Sequence, residues 1–254
     1  MSLDLAAKRP NWFARLANPG QFLAWSRPLV WPLAGLTTLL FAVGLYFALL
    51  DSPPDYQMGE TVRIMYIHVP TAILAEGIYV VMALAALGTL VWRHPLADVA
   101  NKAAAPLGAL FTGLALISGS LWGRPTWGTF WEWDGRMTSF LILFLIYLGI
   151  VALWRAFDDP GRAGRVIAVF TLVGALDIPV VKFSVDWWNT LHQGASIDLM
   201  GDRHMADSML LPLGLMTLAF GFLFLTLYLV RVRTEIFRRR AESLARQAAA
   251  SAAP

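Results

Sequence analysis

Six long apolar runs, separated by short charged clusters, decide what this chain can become. They lie at about 29–50, 67–91, 104–121, 137–154, 165–181 and 208–230, and Glu76 and Asp177 are the two acids inside them. About 20 helical residues cross a bilayer core of roughly 30 Å. A segment in lipid must also satisfy its own backbone hydrogen bonds, which an α-helix does unaided. The expected fold is therefore all-α: a polytopic six-helix bundle forming a single membrane domain over 1–254. Charged residues make up 15% of the chain and hydrophobic ones 57%, against about 25% charged in soluble domains.

The distribution of Lys and Arg orients the bundle. Fifteen of the 20 fall in the N-terminal segment, the second and fourth loops and the C-terminal tail. By the positive-inside rule both termini are cytoplasmic and the first, third and fifth loops face outward. The basic pI near 9.4 follows from this topology and gives no reason to expect nucleic acid. The tail "RVRTEIFRRRAESLARQAAASAAP" reads as a basic helix leaving the membrane in contact with lipid headgroups. The opening "MSLDLAAKRPNWFARLANPGQF" lacks an early apolar core, so no removable signal peptide is expected.

The chain has no cysteine, which excludes disulfides, thiolate ligands, a Cys nucleophile and covalent haem attachment through Cys-x-x-Cys-His. A phosphate-binding GxxxxGK[ST] loop and the H-E-x-x-H zinc motif are also absent from the sequence. The chemistry-bearing residues gather in the outward loops. His68 stands in "YIHVP" at the start of the second span, His192 in "VDWWNTLHQG" and His204 in "GDRHMADS". Polar groups at such depth are costly and need a partner or a task. Two neutral imidazoles from separate loops suit haem iron, one on each face of the macrocycle. A three-histidine zinc site from His68, His192 and His204 is the weaker alternative. His94, in "WRHPLADVANK", reads as an ordinary loop residue.

Loop three, about 120–136, holds four of the eleven tryptophans, Trp122, Trp127, Trp131 and Trp133. An interfacial aromatic belt accounts for Trp12, Trp25, Trp31, Trp92 and Trp154, but not for this density. An extended segment places Trp131 and Trp133 on one face, whereas a helix would pair Trp127 with Trp131. Either arrangement predicts a flat apolar platform suited to a porphyrin, a quinone or a lipid. Arg63, Arg124 and Arg136 are the arginines of outer loops one and three, and Arg63 or Arg136 could bind haem propionates bidentately. Asp134 is expected to order its loop or cap the next helix.

"WGRPTWGTFWEWDGRMTS" resembles the tryptophan-rich WWD signature of the haem-handling proteins of cytochrome c maturation. "RIMYIHVP" and "WWNTLHQG" resemble the flanking histidine segments of its CcmC haem-delivery branch. Six spans with two outer histidine motifs are too few for the larger ligating relatives CcmF and CcsA. The resemblance implies His68 and His192 as axial ligands of haem b, with Trp122, Trp127, Trp131, Trp133 and Asp134 forming a haem-presenting loop. It implies as partners the haem chaperone CcmE, which takes haem covalently on its own histidine, the ABC-type subunits CcmA and CcmB, and the small subunit CcmD. The implied location is the bacterial cytoplasmic (inner) membrane, with the haem site on the periplasmic side. The chain is then a delivery protein rather than an enzyme, and substitution of Trp127 or Asp134 is expected to impair transfer more than haem content. The competing readings are a b-type cytochrome oxidoreductase and a haem permease through the bundle.

Overall fold

The computed structural model describes residues 17–188, 190–192 and 205–251. Helices α1 (Pro19–Ser26) and α2 (Val30–Tyr46) form the first span with a 3-10 turn between them and a π turn after. They are followed by α3 (Met65–Leu90), α4 (Ala97–Trp127), α5 (Gly135–Ala156), α6 (Pro160–Gly174), α7 (Asp177–Trp187) and α8 (Asp207–Ser251). Six segments are long and apolar enough to cross a membrane, Pro160–Trp187 being one crossing built from α6 and α7. No strand occurs among the described residues. The all-α, six-span fold agrees with the expectation from the apolar runs, and an even number of crossings returns the chain to the side on which it began.

Several helices outrun their apolar cores. The third apolar run, at 104–121, lies inside the 31-residue α4, which carries Trp122 and Trp127 on its last turns. Half of the tryptophan-rich segment is thus helical rather than loop. The sixth run opens the 45-residue α8, which continues into the basic tail; at about 1.5 Å per residue it is far longer than a bilayer core. Side-chain caps start the helices where polar loops enter them. Asn18 accepts from the Gly20 and Gln21 amides, and Asp159 accepts from those of Gly161 and Arg162.

Helices α3 and α4 pack along most of their length and are flanked by α5, α6 and α8, while α2 lies against α8. The centre is polar in a controlled way. The Tyr147 hydroxyl donates to the Ala75 carbonyl at 2.7 Å and lies against Gly108, where an added Cβ would sit 1.9 Å from the Tyr147 ring. The Tyr79 hydroxyl donates to the Thr171 carbonyl at 3.1 Å beside Gly174, where a Cβ would sit 2.2 Å from that oxygen. Both bonds satisfy groups that would be costly in lipid, and the second lies at the break between α6 and α7. The outer surface is apolar, with Leu39, Leu84, Ile117, Leu145 and Leu218 exposed, as a bundle solvated by lipid requires.

Of the tryptophans assigned to an interfacial belt, Trp25, Trp31 and Trp92 are exposed. Trp154 instead is buried, with its indole N–H on the Asn101 amide oxygen at 3.4 Å and Lys102 over its ring. Its N–H found a partner inside the bundle, so it packs there rather than at the surface. Trp12 lies outside the described residues.

Candidate functional site at one end of the bundle

His68 lies in the first turns of α3 and turns its ring onto α4. Its Nδ1 is 3.0 Å from the Ala115 carbonyl oxygen and 3.2 Å from Ser118 Oγ. A carbonyl can only accept, so Nδ1 carries the hydrogen and Nε2 keeps its lone pair. The Ser118 hydroxyl donates back to the Leu114 carbonyl at 2.7 Å, leaving its oxygen free to accept from the imidazole. One residue on, Gly119 makes room for the ring, since a Cβ there would stand 2.8 Å from His68 Cε1. The Trp122 indole meets the imidazole edge to face at 5.9 Å.

Helix α4 ends at Trp127 because Gly128 takes φ +81°, the left-handed conformation that terminates helices. The Trp127 ring folds back over Gly123, where an added Cβ would lie 2.9 Å from Trp127 Cε3. The Arg124 guanidinium holds the turn through the Gly128 carbonyl at 2.6 Å and lies over Phe130. Beyond it Trp131 and Trp133 meet at 5.3 Å with their planes 74° apart. Residues 131–134 form no helix, so the helical alternative is not adopted, and this pair forms an edge-to-face corner rather than a flat platform. Trp131 is partly buried, whereas Trp133 is 72% exposed.

Asp134 joins this segment to the fifth loop. As N-cap of α5, its Oδ1 accepts from the Met137 amide at 2.7 Å. Its Oδ2 accepts from the Thr190 hydroxyl and faces His192 Nδ1 at 3.5 Å. The Thr190 oxygen in turn accepts the His192 backbone N–H at 3.1 Å. Burial raises the Asp134 pKa, but the Met137 amide, the Thr190 hydroxyl and His192 together hold it below the ordinary carboxylate value. Burial pushes His192 below the ordinary imidazole value, a trend that Asp134 opposes without reversing. The arrangement is a charged carboxylate behind a neutral imidazole. Trp127 packs against that imidazole, ring centres 4.7 Å apart, and Trp188 packs on Gly135, where a Cβ would meet its ring at 2.9 Å.

His68 and His192 line one narrow cleft of about 50 Å³ together with Gly119, Arg136, Met137 and Phe140. Arg136 is steadied by the Ser184 hydroxyl at 3.3 Å from Nε. Arg63 is not on this lining. Its guanidinium pairs with Glu60 at 3.0 Å and donates to the carbonyls of Leu49 and Ser52, tying down the loop between the first span and α3. Among the described residues no three His, Cys, Asp or Glu are grouped to hold a metal ion; His204 lies outside them. Ala115, Ser118, Gly119 and Thr190 belong to the site although their residue types announce no chemistry.

The donor set suits an iron porphyrin. Each imidazole turns Nδ1 toward an oxygen acceptor, the arrangement that orients a metal-ligating histidine. The buried indole N–H groups of Trp122 and Trp131, like His192 Nδ1 at its 3.5 Å from Asp134, make no hydrogen bond among the described residues, and Arg136 adds a cation suited to a carboxylate.

Comparison with known proteins gives a consistent result. The family model CcmC, described as heme exporter protein C, matches residues 12–247. The heme exporter protein C of Bradyrhizobium diazoefficiens is 62% identical over 230 residues, covering 90% of this chain and 87% of that protein. Those of Haemophilus influenzae and Escherichia coli K12 are 46% and 43% identical, covering 82% and 85% of this chain and 85% and 84% of theirs.

Proposed function

The chain belongs to the heme exporter protein C family, and from that premise we propose that it binds haem b at the outer, periplasmic face of the cytoplasmic membrane and presents it for covalent attachment to the chaperone CcmE. The observation that carries this reading is the pair His68 and His192, brought from α3 and the fifth loop to one cleft. His68 is fixed as the tautomer whose Nε2 can ligate, and His192 is held neutral with Asp134 at its back.

Haem is the cargo here, and the chain's residues position it. His68 and His192 would hold the iron, and Arg136, on the cleft lining, would supply the charge for a propionate, whereas Arg63 is committed to Glu60 and the carbonyls of its own loop. Trp122 and Trp127 lie against the imidazoles. Trp131, Trp133 and Asp134 complete the presenting segment. A cleft of about 50 Å³ is small beside ligand sites of roughly 300–1,000 Å³, so a macrocycle held by these residues keeps an edge outside the bundle. That edge is where a partner's nucleophile would reach it, and fixed orientation would then promote the bond. The ABC-type subunits CcmA and CcmB and the small subunit CcmD complete the assembly in this reading, with ATP-driven release supplied by the ABC partners.

Purified protein is expected to show a six-coordinate haem b spectrum that His68→Ala and His192→Ala both strongly reduce. Co-expression with CcmE is expected to give haem that survives denaturation on the chaperone. Full haem occupancy in both histidine variants would overturn the ligand assignment. Electron transfer to a quinone or periplasmic acceptor without any such adduct would favour the cytochrome reading.

A further inference from the structure

At the end of the bundle that carries the excess of Lys and Arg, a second cleft of about 610 Å³ opens among α4, α5, the α5–α6 turn and α8. It is separate from the histidine cleft in position and in lining. Five cations face it, Lys102, Arg155, Arg231, Arg238 and Arg246, against two carboxylates, Asp158 and Glu242. These cations differ in what already holds them. Lys102 and Arg238 are paired with Glu235 at 3.1 and 2.6 Å, and Arg238 also pairs with Glu242. Arg231 spends only Nε, on the Ala103 carbonyl at 3.0 Å. Arg155 and Arg246 are exposed and make no hydrogen bond or ion pair among the described residues.

The walls are held in place. Glu235, on α8, receives Lys102 of α4 together with Arg238 and Arg239 of its own helix, and Arg239 reaches Asp98 of α4 at 2.7 Å. Trp154 is locked by Asn101 beneath Lys102. Pro106, Val151 and Phe157 add an apolar flank. Three guanidiniums with unspent N–H groups therefore converge on a braced concavity, and guanidinium forks match phosphate oxygens.

We propose that this cleft is an anion site that binds a phosphate group, with Arg155, Arg231 and Arg246 as its donors. The phosphate can arrive on a phospholipid headgroup of the adjoining leaflet or free in solution, and the two sources are separable. Basic pockets between membrane helices on this side of a bilayer are suited to anionic headgroups, and the apolar flank accommodates the start of an acyl chain.

The test uses the full chain in nanodiscs of phosphatidylcholine doped with phosphatidylglycerol, and in detergent with inorganic phosphate. The wild type is compared with Arg155→Gln/Arg246→Gln. A control, Arg162→Gln/Arg165→Gln, removes the same charge from exposed α6 positions outside the lining. Native mass spectrometry after transfer to detergent reads retained phosphatidylglycerol, and calorimetry reads phosphate. The expected result is about tenfold less retention or binding in the Arg155/Arg246 variant, wild-type behaviour in the control, and unchanged haem content in both. Loss with phosphatidylglycerol identifies a headgroup site, and loss with inorganic phosphate alone identifies a soluble anion. Equal binding by wild type and the Arg155/Arg246 variant, or equal loss in the control, overturns the proposal.

Discussion

The Asp134 carboxylate stands 3.5 Å from His192 Nδ1 while its other oxygen caps helix α5 through the Met137 amide. One side chain thus couples the entry of a membrane helix to the orientation of a proposed iron ligand. The two jobs can be separated by substitution. Asp134→Asn keeps an N-cap acceptor but removes the charge behind the imidazole, so it is expected to leave thermal stability near wild type and weaken haem binding by about 10- to 100-fold. Asp134→Ala removes both and should also cost about 1 kcal/mol of stability for the lost cap. A haem titration beside a thermal melt checks this; undiminished haem affinity in Asp134→Asn would remove the orienting role. A loss of haem content is predicted beside any loss of transfer, because Asp134 faces a histidine of the cleft.

Gly119 tests the seat of the other histidine. A Cβ at this position would stand 2.8 Å from His68 Cε1, too close for the ring to keep both its place and its bond to the Ala115 carbonyl. Gly119→Ala is expected to lower haem content several-fold while the protein still inserts and melts within a few degrees of wild type. Alanine is otherwise the better helix former by about 1 kcal/mol, so the backbone itself gives no reason for damage. Wild-type haem loading in this variant would mean that the ring does not occupy the position described.

Gly108 is the structural counterpart, away from the cleft. Its added Cβ would fall 1.9 Å from Tyr147 Cε1, and the ring cannot move without breaking the hydroxyl bond to the Ala75 carbonyl. Gly108→Ala is expected to destabilise by about 1–3 kcal/mol through overpacking. Tyr147→Phe in the same background should not restore it, since the clash is with the ring. Measured unfolding in detergent decides this, and an unperturbed melt would show that α4 and α5 can part there at little cost.

How much of this was legible beforehand differs between fold and site, for physical reasons. The six crossings could be read because a lipid-solvated helix must be apolar on nearly every face, which leaves a continuous run in the sequence. Helix ends were not legible: polar Trp122, Arg124 and Trp127 continue α4 past the apolar stretch until Gly128 stops it. His68, His192 and the tryptophans announced themselves by residue type. Gly119 and Thr190 did not, since their roles, leaving space and relaying a hydrogen bond, exist only once α4 lies against α3 and loop five against Asp134. Arg63 and Arg136 had equal claims in the sequence. Packing separates them, placing Arg136 on the cleft and Arg63 with Glu60 and the carbonyls of its own loop. Trp154 went astray because an aromatic near a span end looks interfacial until a buried Asn101 is found beside it.

The tryptophans can now be divided between cargo and partner. Trp127 packs against the His192 ring and folds over Gly123, so its removal loosens a proposed iron ligand. Trp133 is 72% exposed and touches Trp131 only by its edge, so its removal strips the surface and leaves the cleft intact. Trp127→Ala is expected to reduce haem content several-fold, contrary to a pure transfer role. Trp133→Ala should stay within twofold of wild type in haem content and lower covalent haem on CcmE by about tenfold, the loss of roughly 1.4 kcal/mol that an exposed aromatic anchor can contribute to a protein contact. Pulse-labelled haem transfer, normalised to haem bound, reads the two effects separately. If Trp133→Ala lost haem while Trp127→Ala did not, the division would be reversed, with the exposed corner covering the cargo and the His192 contact serving only the fold.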